Sequence, residues 1–179
     1  MPLDLHELDD TTREYMLREF EAEIVGDHYR SAVLSSAGEQ AWTQMMRDAI
    51  TSGDDVTLAR ALLDPPGLLT THDARGFVVN QRQAAVRLAT TEFLTWYVRG
   101  LSARLLDEDV EHVEVYRAGD PAGPKSSCTA HEGLVVTVAA VYAGHRAKYW
   151  PVLDRSAFSV PFHPNCHHAI RRPATREVD

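Results

Sequence analysis

The sequence predicts an α+β protein: a helical N-terminal region, a long central helix, and a small antiparallel sheet closed by a Cys/His turn. Three observations carry this. Up to residue 107, apolar residues recur at helical spacing. After residue 110 the pattern changes to short alternating runs. Both cysteines of the 179-residue chain, Cys128 and Cys166, lie in that last part, where the stretch 128–168 also holds five of its nine histidines.

Residues 9–25 predict the first helix. Asp9, Asp10 or Thr11 can cap it, and Met16, Leu17, Phe20 and Ile24 share a face. A second helix is expected from Ser36, where Ser36 and Glu39 have capping-box spacing. Trp42, Met45, Met46, Ala49 and Ile50 form its apolar stripe, and Gly53 ends it. A short third helix, Asp55 to Leu63, stops at Pro65-Pro66. Phe77–Val79 suggests a short strand inside the break at 64–80. Residues 81–107 read as one long helix, rich in Ala and Leu. His112–Arg117 and Leu134–Val138 alternate as strands, Ala139–Gly144 suggests a helical turn, and Ala169–Arg171 a last short strand. The expected organisation is an acidic helical region at 1–64, a linker at 65–80, a second unit at 81–173, and a mobile tail at 174–179.

Charge is unevenly spread. The net charge is −8. Residues 1–75 hold 15 acids and 6 bases, and the rest hold 11 acids and 12 bases. Such acidity disfavours generic binding to DNA or to anionic membrane, because like charges repel. No apolar run approaches the roughly 18 residues that span a bilayer. The acidic start, Met1 to Glu7, lacks the apolar stretch of a secretory signal.

The chemistry concentrates at 128–168. Cys128-Thr-Ala-His131 is C-x2-H, and His163-Pro-Asn-Cys166 is H-x2-C, followed by His167 and His168. Two donors separated by two residues can share one ion when a turn aims both to one side. Cys128, His131, His163 and Cys166 give a Cys2His2 zinc set, with His168 a fifth candidate. Two alternatives stay open: polar histidines beside small buried cysteines without metal, and a Cys128–Cys166 disulfide.

Taken together, these pieces resemble the head-morphogenesis domain of phage Mu F-like minor head proteins over about residues 84–172. The helix carries Arg87-Leu-Ala-Thr-Thr91-Glu92, the strand is Val113–Tyr116, the turn is Cys128-Thr-Ala-His-Glu-Gly133, and the close is His163-Pro-Asn-Cys166-His167-His168. Lys125 stands where the family has its first cysteine, and His168 where it has its last. The resemblance implies a structural, non-enzymatic virion protein that acts in capsid assembly with portal or capsid proteins. It would reside in the virion, or in host cytoplasm during assembly, without membrane or direct nucleic-acid binding. Glu92, with Arg87 and Arg99 on the same helix, suits either a charged network that pins the Cys/His turn or a solvated surface charge.

Two enzymatic readings compete. His145, Asn165, His167 and His168 supply the residue types of an HNH-like metal nuclease acting on DNA, although their spacing departs from that motif. Cys128 or Cys166 with a histidine would suit a nucleophilic hydrolase, but no nucleophile motif frames either.

Overall fold

The computed structural model describes residues 2–25, 31–119, 127–148, 153–163 and 165–173. Lys125, Pro164 of the His163–Cys166 motif and the 174–179 tail lie outside them. Among the described residues, five α-helices and three strands follow in the order α1 (Asp10–Ile24), α2 (Ser36–Ser52), α3 (Asp55–Ala61), α4 (Gln81–Asp107), β1 (His112–Arg117), β2 (Val135–Thr137), α5 (Val138–Lys148) and β3 (His168–Arg171). The protein is α+β, built around one long helix and a three-stranded antiparallel sheet.

Each helix start is explained by a side chain that accepts an otherwise orphaned backbone N–H. Asp9 accepts from Thr12 N, Ser35 from Gly38 N, and Asn80 from Gln83 N. The second helix is therefore capped by Ser35 and not by Ser36, one residue before the expected box. Asp54 and Thr57 form a full capping box on α3. The acids at the end of α4, unfavourable there by the helix dipole, are paired. Asp107 accepts from Tyr15, and Glu108 from Arg104 and Arg172.

Helix α4 is the axis of the fold. Tyr97, Phe93, Leu94, Leu101 and Leu105 are fully buried along it. Helix α1 packs against α4 so closely that a Cβ on Gly100 would stand 2.5 Å from Met16 N and 2.7 Å from Met16 Cα. Arg104 binds Asp9 at 2.7 Å and also Thr12, fixing the start of α1 to the end of α4. Trp42 and Met46 of α2 are buried in the same core. That core continues without a break into Val113, Val115, Val138, Val141 and Ile170 of the C-terminal half.

Three expectations need correction. The 65–80 stretch is packed in at its start and is not a free linker: Leu68 and Leu69 are buried, and Leu69 bridges Leu34. Phe77–Val79 does not form a named strand. Phe77 and Val78 are exposed, so no packing face rewards an extended run, and a single bridge joins Val78 to His72. Helix α5 is also longer than the expected turn. Val138 begins it instead of ending β2, and Thr137 Oγ1 accepts from Ala140 N at 3.3 Å.

The sheet order is β2-β1-β3. In its registers Val113 faces Val136, Val115 faces Ile170, and Arg117 faces His168. Because β1 is central, the segments leading into β2 and β3 meet at the same end of the sheet. That convergence positions the site.

Candidate metal centre

Cys128 lies in a 3-10 turn, Ser127–His131, that precedes β2. Gly133 follows with φ +80°, a conformation that favours glycine, and its N–H donates to Val115 O at 2.8 Å. Cys166 lies just before β3. Asn165 has φ +72°, tolerated by asparagine in tight turns, and Cys166 N donates to His163 O at 2.9 Å. His168 is the first residue of β3, two positions on, so its side chain returns to the face used by Cys166.

These two approaches bring three donors together. Cys128 Sγ and Cys166 Sγ are 4.0 Å apart, and Cys166 Sγ is 3.4 Å from His168 Nδ1. All three residues are buried, their donor atoms lie within 4.8 Å of one another, and the group could hold a metal ion. Cys128 and Cys166 are not joined, so the disulfide alternative is not formed here. Burial pushes the Cys166 thiol up to about 11, with Cys128 beside it adding to the rise. Without a cation this environment favours a protonated thiol, which opposes use as a nucleophile.

His168 is oriented from behind. Its Nε2 lies 2.9 Å from Glu132 Oε1, and Arg117 Nε donates to the same carboxylate oxygen at 2.8 Å. Arg117 also donates to Thr129 Oγ1 at 3.0 Å. The His168 hydrogen bond, and then Arg117, hold the Glu132 carboxyl below its usual range. A carboxylate on the far nitrogen fixes the imidazole's orientation and raises its basicity, as is usual behind metal-binding histidines. Glu132 and Arg117 were missed in the sequence. Only the cross-strand register that sets Arg117 opposite His168 reveals them.

His131 and His163 fall outside the three-residue group. His131 Nδ1 is 3.3 Å from the Cys128 carbonyl, and its ring stacks on Phe162 at 4.2 Å. His163 contributes its backbone carbonyl to the turn that presents Cys166. The expected Cys2His2 set thus becomes Cys128, Cys166 and His168 among the described residues. Phe162 also meets His168 edge-on at 6.0 Å, forming an aromatic wall between His131 and the site.

The expected Glu92–Arg99 network is not formed. Arg99 is buried and pairs with Glu23 of α1, and its Nε donates to His145 Nδ1 of α5 at 3.0 Å. Burial lowers the Arg99 guanidinium to about 10. His145 is held far below its usual range, by burial first and then by the neighbouring Arg99. The histidines of the nuclease reading are accordingly divided: His145 serves the helices, and His168 the cysteine group.

No family model, no curated protein and no solved structure matches the chain. Among the described residues, no helix is long and apolar enough to cross a membrane.

Proposed function

We propose that the protein is a structural, non-enzymatic assembly component of the phage Mu F-like minor head type, fastened in its C-terminal half by zinc. The observation that carries the metal is the buried Cys128–Cys166–His168 group with Glu132 behind the imidazole. Ligand bonds of 2.3 Å to sulfur and 2.0–2.1 Å to nitrogen at tetrahedral angles place two sulfurs about 3.8 Å apart, and sulfur and nitrogen about 3.5 Å apart. The separations here, 4.0 and 3.4 Å, sit close to those edges. Two sulfurs and an imidazole suit zinc better than magnesium or calcium, which take oxygen donors.

A structural zinc site takes four ligands. Three of the four are in place here, and no fourth His, Cys, Asp or Glu donor joins them among the described residues. The ion would tie the segment before β2 to the start of β3, and so hold both outer strands on β1.

The assembly reading rests on the order of the Arg87–Glu92, Cys128–Gly133 and His163–His168 motifs along one fold, and portal or capsid proteins are the proposed partners. Elemental analysis of the purified protein, before and after Cys166→Ala, tests the metal. One zinc per chain, lost in the variant with a lower melting temperature, is expected. A native protein free of metal, with an unchanged melting temperature on chelation, removes the zinc claim. Co-purification with portal or capsid from induced cells tests the assembly role, and persistent absence from such complexes refutes it. A plasmid-cleavage assay with divalent metals separates the nuclease alternative.

A further inference from the structure

A cavity of about 390 Å³ opens along α4, away from the Cys/His group. Its volume falls in the range of small-molecule sites, roughly 300–1,000 Å³. Leu88 and Trp96 of α4, with Val33 and Pro161, give it an apolar lining, while Thr91, Thr95 and Glu92 supply polar groups. Glu23, Arg99 and His145 close one side, where they already bond to one another through Arg99.

Two charged groups on this wall have no hydrogen bond or ion pair among the described residues: Glu92, half-buried, and Arg87, exposed at the rim. Burial pushes the Glu92 carboxyl up to about 7. The core helix therefore carries an acid that folding alone does not use. The Trp96 indole N–H beside it is buried and also lacks a hydrogen-bond partner among the described residues. Buried polar groups are normally satisfied, so unsatisfied ones gathered at one cavity point to a ligand. Glu92 is the cavity's unpaired acid and Arg87 its unpaired base. Five residues of helix set them about 7.5 Å apart along the axis.

We propose that this cavity binds a basic amino acid, its guanidinium or amine against Glu92 and its carboxylate toward Arg87, with the apolar stem along Leu88 and Trp96. The ligand is either free or the C-terminal residue of a partner peptide. Binding does not depend on the metal site.

Calorimetric titration of the full chain with four probes tests this. L-arginine is expected to bind best, agmatine less because it lacks the carboxylate, and citrulline least because its side chain is neutral. Glu92→Gln should cut arginine affinity at least tenfold, and Arg87→Ala should remove its advantage over agmatine. Arginine binding near neutral pH should release a proton from Glu92, seen as different heats in buffers of different ionisation enthalpy. Glu92→Gln, which removes only a charge from the cavity wall, should keep the wild-type circular dichroism. A peptide ending in Gly-Gly-Arg that binds more tightly than arginine marks a protein terminus as the ligand, and weaker binding marks the free amino acid. Absence of heat with every probe, or equal binding of arginine and citrulline, overturns the proposal. So does a folded Glu92→Gln protein of undiminished affinity.

Discussion

Glu132 offers the most discriminating test of the metal centre, because it would touch no metal. Its carboxylate oxygen lies 2.9 Å from His168 Nε2, on the far side of the ring from Cys166. Replacing Glu132 with Gln keeps the shape and an acceptor oxygen but removes the charge. Loss of such a partner typically weakens metal binding by about 10–100-fold. The Glu132 side chain is 32% exposed while His168 is 4% exposed, so water screens part of the effect. The lower end is expected: about tenfold, equivalent to about 1.4 kcal/mol. Zinc affinity would be measured by competition with a chromophoric chelator, for wild type, Glu132→Gln and His168→Ala. His168→Ala should lose far more than tenfold. If Glu132→Gln binds zinc as tightly as wild type while His168→Ala fails, Glu132 does not orient a ligand, and the reasoning from its hydrogen bond is wrong.

Gly100→Ala should destabilise the protein by about 1–2 kcal/mol in urea titration, although alanine is the better helix former by about 1 kcal/mol, because overpacking against the backbone at Met16 outweighs propensity. Glu23→Ala should cost about 3 kcal/mol, the low end for a broken buried pair, since it leaves Arg99 buried beside His145 and Trp96; a loss below 1 kcal/mol would show that Arg99 finds water. Glu92 gives a pH signature. Its folded-state acid, near 7, binds a proton that the unfolded chain has already released above about 4.5, so stability falls as pH rises between those values. Glu92→Gln should remove up to about 3 kcal/mol of that fall, so the variant's advantage in urea should be larger at pH 7.5 than at pH 5; equal advantage at both values would contradict the assignment.

The helices were legible because their information is local. Asn80 and the Ala/Leu-rich run fix α4 from Gln81 to Asp107, as the sequence predicts. Val138 opens α5 although it ends an apolar run from Leu134, because such a run gives no sign of where a strand becomes a helix. Spacing located both cysteines and offered His168, but it also offered His131 and His163. Within x2 spacing a histidine can face an ion, a backbone carbonyl or a neighbouring ring equally well. The His131 ring stacks on Phe162, which lies 31 residues away in sequence. Arg99 takes Glu23 instead of Glu92 for the same reason: Glu23, 76 residues earlier, meets it only after α1 docks.

That docking has a consequence for how the chain can be divided. Arg99 is held by α1 and α5 together, and Gly100 is spaced for the backbone of α1. A fragment beginning at residue 81 would open Arg99 to solvent along a groove with no side chain at Gly100 to fill it. Amide exchange in α1, α4 and α5 should therefore proceed through a shared opening, with one free energy for all three. The acidic N-terminal helices would then be no detachable arm. They would be the half of the structure without which the half that carries the cysteine group has nothing to fold against.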